Sequence, residues 1–73
     1  MNFKINDIKK LLHDQNYLEF DRLLVTMENH LKEEITIYIL DDSGSRLNII
    51  NTFEELEEFK KLMIQVYGIY GYF

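Results

Sequence analysis

The chain has 73 residues, 47% hydrophobic and 14% aromatic, with thirteen acidic against eight basic side chains and a net charge of −5. That length holds one core, so residues 1–73 are expected to form a single domain of modest stability, because so short a chain buries only about 60% of its unfolded surface. The absence of cysteine excludes a disulfide scaffold, a zinc–thiolate site and a thiol nucleophile, and fits a cytoplasmic protein. No apolar run nears the ~18 residues of a membrane span, Met1-Asn2-Phe3-Lys4 has no signal-peptide core, and the acidic balance opposes direct nucleic-acid binding.

In chain order, Asn6 and Asp7 are N-cap residue types, and Ile5, Ile8, Leu11 and Leu12 recur at helical spacing, which predicts a helix over residues 6–13. Asp14-Gln15-Asn16 is a turn cluster. Residues 17–31 read two ways. As a helix, Tyr17, Phe20, Leu23, Leu24, Met27 and Leu31 share an arc, with Asn16 and Glu19 as a capping box. As a strand, Leu23, Val25 and Met27 alternate with Leu24, Thr26 and Glu28. The strand is favoured, since no Gly, Asn or Pro follows Leu31 to stop a helix and Glu33 and Glu34 carry the wrong sign for a helix C-terminus. A turn over residues 29–33 then makes a hairpin with the next strand.

Residues 35–40 are a β-branched run with Ile35, Ile37 and Ile39 alternating onto one face. Asp41-Asp42-Ser43-Gly44-Ser45 is turn chemistry, and residues 46–51 return as a strand with Leu47 and Ile49 inward. Thr52 and Glu55 form a Thr-x-x-Glu capping box for a helix over 53–67. On that helix Phe53, Leu56, Phe59, Met63, Val66 and Tyr67 face one way, while Glu54, Glu57, Glu58 and Lys61 face the other, with Glu57 and Lys61 as an i,i+4 pair. The expected class is therefore α+β: helix, three-stranded antiparallel sheet, helix. The helical reading of 17–31 gives the alternative of two helices, a β-hairpin and a helix.

Residues 1–32 carry five bases and five acids, whereas residues 33–73 carry three bases and eight acids, so the surplus of five lies wholly in the second half. The same half ends on Tyr67-Gly68-Ile69-Tyr70-Gly71-Tyr72-Phe73, with four of the ten aromatics. A tyrosine-rich end either completes a small core or anchors an interface. An acidic face serves solubility or steers association with a basic partner.

Catalytic constellations are thin. His13 and His30 lack metal-ligand spacing and read as surface residues. Ser43 and Ser45 flank Gly44 rather than forming a Gly-x-Ser-x-Gly elbow, and the Asp41-x-Ser43-x-Ser45 pattern has no glutamate at the twelfth position of a calcium loop, where Thr52 stands. Paired glutamates on an exposed helix have nothing to raise a pKa for general-acid work. A non-enzyme is expected, with no catalytic residue, no cofactor and no metal.

The opening Met1-Asn2 with Ile5-Asn6-Asp7-Ile8, the Asn/Ile/Lys/Glu-rich make-up and the acidic second half resemble those of small acidic phage-encoded inhibitors such as anti-CRISPR proteins of type II effector nucleases. The resemblance implies a cytoplasmic inhibitor in the host cell that imitates DNA with carboxylates and occupies a basic, nucleic-acid-binding surface. Its partner would be a host protein with such a surface. The residues expected at that contact are Asp41, Asp42, Glu54, Glu55, Glu57 and Glu58, with Tyr70, Tyr72 and Phe73 as an apolar anchor. The tyrosine-rich end departs from what a DNA mimic needs, and the alternative is a homodimeric structural or regulatory interaction module joined through that end or a free sheet edge.

Overall fold

A computed structural model describes residues 1–68. In chain order the elements are β1 (Asn2–Lys4), α1 (Ile5–His13), α2 (Tyr17–Lys32), β2 (Ile37–Leu40), β3 (Arg46–Ile50) and α3 (Phe53–Tyr67). The class is α+β, as expected, but the sheet is mixed. β2 is the central strand, with β3 antiparallel on one side and β1 parallel on the other. Parallel neighbours need a crossover, and the helical pair α1–α2 supplies it.

The third strand is therefore not drawn from residues 17–31, which form α2. Its buried residues Phe20, Leu24, Met27 and Leu31 keep helical spacing. The helix stops without a glycine because Glu34 takes the left-handed conformation, φ +60°, just past the cap at Glu33. The Ile35 N–H then donates to the His30 carbonyl at 2.9 Å, and the Glu34 N–H donates to the Leu31 carbonyl at 3.0 Å. These two bonds define a Schellman motif. α1 ends the same way, with Gln15 at φ +57° and bonds from Asn16 N–H to Leu11 and from Gln15 N–H to Leu12. Glu33 and Glu34 lie beyond the last turn, which itself holds His30 and Lys32, the sign that suits it.

Other boundaries differ in detail. β1 was too short to read from three residues, and it pairs Phe3 with Ile39. α1 begins at Ile5 behind Lys4, with no side-chain cap, so Asn6 and Asp7 sit inside the first turn. At α2, Asn16 Oδ1 accepts from the Glu19 N–H at 3.3 Å, but the Glu19 carboxylate turns to Arg22, leaving the capping box half made.

Among the described residues the sheet is covered on one face only. Ile37, Ile39 and Ile50 are buried against Ile8 and Leu12 of α1, the apolar line of α2, and Leu56, Phe59, Met63 and Ile64 of α3. Ile49 pairs with Tyr38 on the opposite face and is 47% exposed; Leu47 occupies a bulge, where Ile39 opposes Asn48 and Leu40 opposes Arg46. The expectation of Leu47 and Ile49 facing inward is thus overturned, because the pleat turns Ile50 to the core instead. On α3, Phe53, Val66 and Tyr67 are exposed and Ile64 takes the core position.

His30 is only partly a surface residue: its ring lies 6.3 Å from that of Phe3, and among the described residues Nε2 is enclosed without a hydrogen-bond partner. Two stability measurements follow. Glu34→Gly and Gln15→Gly should each raise stability by about 0.5–1 kcal/mol, since a side chain in the left-handed region costs more than glycine's extra unfolded entropy. Thermal unfolding should show an increase of several degrees for each; a fall in both would mean that side-chain contacts hold these caps. His30→Phe should be neutral or stabilising by about 1 kcal/mol, because it removes an unsatisfied buried nitrogen. A loss of that size in chemical denaturation would instead place a partner on Nε2.

Candidate protein-binding surface

The carboxylates singled out from the sequence fall at two ends of the sheet. Asp41 and Asp42 sit in the β2–β3 turn, whereas α3 and its glutamates begin beyond Ile50, at the far end of β3. Five strand residues, about 17 Å, separate the two groups. Tyr70, Tyr72 and Phe73 lie outside the described residues.

The turn acids are engaged within the chain. Asp41 Oδ1 accepts from the Ser43 N–H at 2.9 Å, the Ser43 hydroxyl at 2.7 Å and the Ser45 N–H at 2.8 Å. Those donors, the Ser43 hydroxyl first and the Ser45 amide second, hold the Asp41 carboxyl below its usual range. Gly44 completes the turn at φ +88°, which favours glycine. Asp42 accepts from the Asn6 side-chain amide at the start of α1. Ser43 and Ser45 are turn-building residues, with their hydroxyls 3.1 Å apart.

Glu55 is likewise structural. The Thr52 hydroxyl accepts from the Glu55 N–H at 3.1 Å and donates to the Glu55 carboxylate, which also accepts from the Asn51 N–H at 3.2 Å. The capping box forms as expected, extended by one residue to the Asn51 amide. Glu54, Glu57 and Glu58 remain exposed on α3. The expected Glu57–Lys61 pair does not close, whereas Arg22 pairs with Glu19 and His13 Nδ1 lies 3.3 Å from the Asp14 carboxylate.

Tertiary packing adds acids that the division of charge along the chain concealed. Asp21, Leu24, Val25 and Glu28 of α2 face Leu56, Glu57 and Lys60 of α3 across a groove. Glu57 also belongs to a shallow hollow with Phe53, Glu54, Glu58 and Lys61. Two helices thus join five carboxylates, two lysines and the exposed apolar groups Val25 and Phe53 in one surface. Asp21 and Glu28 come from the charge-neutral half. Their signal was the i, i+4, i+7 line of residues 21, 25 and 28, legible only once residues 17–31 are read as a helix.

Among the described residues no three of His, Asp and Glu come together as a metal-ligand set, and no helix is long and apolar enough to cross a membrane.

Lowered in the folded state, the Asp41 pKa adds stability that is complete above about 3.8, its ordinary value, and is lost as pH falls through the folded value. Asp41→Ala should therefore destabilise the protein at neutral pH, with the deficit shrinking as the medium is acidified below that point. Denaturation curves at several pH values check this, and a pH-independent deficit would assign the loss to the turn's uncharged contacts. Compared with protein-family models, characterised proteins and solved structures, the chain finds no match.

Proposed function

We propose that this protein is a small binding inhibitor, encoded by a phage or other mobile element, that occupies a basic nucleic-acid-binding surface of a host defence or nucleic-acid enzyme. It acts by occupancy and not by catalysis. The observation that carries the reading is the α2–α3 surface, where Asp21, Glu28, Glu54, Glu57 and Glu58 outnumber Lys60 and Lys61 around Val25 and Phe53. Carboxylates spaced along two helices offer a basic cleft the charge that it otherwise finds on phosphates, and they accelerate encounter through long-range attraction. The exposed side chains of Val25 and Phe53 supply apolar contact that persists when salt screens the charges. Asp41, Asp42 and Glu55 hold the turn and the α3 cap instead of facing the partner.

The test is competitive inhibition. The protein should slow DNA cleavage by a susceptible type II effector nuclease, and added DNA should relieve the inhibition. Triple charge reversal, Glu28→Lys with Glu57→Lys and Glu58→Lys, should slow association about tenfold or more at low salt and much less at high salt. Equal association rates for the triple variant and the unaltered protein at low salt would end the charge-mimicry reading.

A further inference from the structure

Away from the acidic helices, the edge at β1 combines outward backbone groups, an apolar hollow and a charge opposite to that of the molecule. The Tyr38 N–H donates to the Met1 carbonyl at 2.8 Å, and the register from Asn2–Tyr38 to Lys4–Leu40 runs without a bulge. In a regular parallel ladder that bond turns the Phe3 backbone groups toward β2. The N–H and C=O of Asn2 and the N–H of Lys4 then point the other way, where no described strand pairs with them. The Lys4 C=O stands at the N-cap of α1 and belongs to that helix.

Side chains mark the same edge. Phe3 shares the core face with its register partner Ile39 and packs against the core. Asn2, Phe3 and Lys4 line a hollow with Ile8 and Leu11 of α1 and Leu23 of α2. Because three consecutive strand residues line it, the hollow follows the edge. Asp7 of α1 also lines it and disfavours a second carboxylate inside.

Charge on the strands runs against the net −5 of the chain: β1, β2 and β3 hold Lys4 and Arg46 and no acidic residue. Lys4 is exposed, and no described carboxylate closes an ion pair with it. The acids that follow Leu40, Asp41 and Asp42, are engaged with Ser43, Ser45 and Asn6.

We infer that the β1 edge binds an extended, acidic peptide segment of a partner protein, added as a fourth strand in the stronger, antiparallel sense. The guest residue opposite Phe3 places its side chain on the helix face, in the hollow of Ile8, Leu11 and Leu23. The guest residue before it stands opposite Lys4 on the open face, where a carboxylate forms the charge pair that Lys4 lacks. The guest residue after it exchanges both backbone bonds with Asn2. In chain order the recognised pattern is an acid, an apolar residue and any third residue. Lysine guards an edge strand against basic and apolar strands; facing a carboxylate, the same charge selects the guest. So small a contact falls far below a standard interface, and binding is weak and rapidly reversed.

NMR titration of the full chain with the capped peptide acetyl-Ser-Thr-Glu-Leu-Thr-Ser-amide tests this. Saturable shifts should appear at the amides of Asn2 and Lys4 and the methyl groups of Ile8, Leu11 and Leu23. Three altered peptides should each bind about fivefold or more weakly: lysine for the glutamate, serine for the leucine, and an N-methyl group on the threonine after the leucine. Lys4→Glu, at an exposed site, should keep the far-UV circular dichroism of the original and reverse the preference between the glutamate and lysine peptides. No saturation up to about 5 mM peptide, equal binding of the altered peptides, or shifts centred on the α2–α3 groove would overturn the inference. So would Asn2 and Lys4 amides that are protected from exchange, or shift with protein concentration, before peptide is added, because this chain or a second copy would then fill the edge.

Discussion

Strands of three to five residues cannot hold a sheet by their own hydrogen bonds, and here the burial of Ile37, Ile39 and Ile50 beneath three helices holds it. Each such side chain contributes about 1.5–3 kcal/mol when removed from water. That one-sided packing fixes everything else. It sets which register of β3 is tolerated, since a slip of one residue would exchange Ile50 for Ile49 at the core. It draws Phe20, Leu24, Met27 and Leu31 of α2 onto the same layer as Leu56, Phe59 and Met63 of α3. No described element covers the second sheet face, as suits a chain too short to bury both.

The two outer surfaces have different chemistry as a result. Across the groove between α2 and α3, packing brings Asp21 and Glu28 beside Glu57. On the open sheet face Arg46 stacks on Tyr38, Lys4 stands opposite Leu40, and Ile49 is half in solvent. A net charge of −5 therefore describes neither surface. One surface gathers carboxylates and the other mixes aromatic, cationic and apolar side chains.

Several carboxylates that look alike in the sequence have different work. Asp41 binds its own turn, Asp42 ties that turn to α1, and Glu55 closes the cap of α3. Glu54, Glu57 and Glu58 do none of this. The distinction was partly legible: Thr52-x-x-Glu55 is a capping pattern, and the Asp-x-Ser spacing of Asp41 suits side-chain-to-backbone bonds in a turn. Acids gathered from α2 were not legible, because they depend on two helices lying side by side. The strand reading of residues 17–31 rested on two arguments, the lack of a Gly, Asn or Pro stop after Leu31 and the sign of Glu33 and Glu34. Both failed because the helix ends at Lys32 with Glu34 in the left-handed position. Glu34 and Gln15 occupy the left-handed position at a cost of roughly 1–2 kcal/mol each, which the packed helices absorb.

By itself the sequence determined the α+β class, the β2–β3 turn, the whole of α3 with its cap, and the acidic excess, because local spacing and side-chain chemistry set these. Tertiary structure decided what needs two distant segments at once. Asn2–Lys4 is a strand only because β2 lies beside it, and α2 is a helix only because its apolar line has a sheet and two helices to meet. The orientation of β3, which buries Ile50 and exposes Leu47 and Ile49, belongs to the same class. Hydrophobic alternation states that one face must be buried; which face that is depends on where the helices pack.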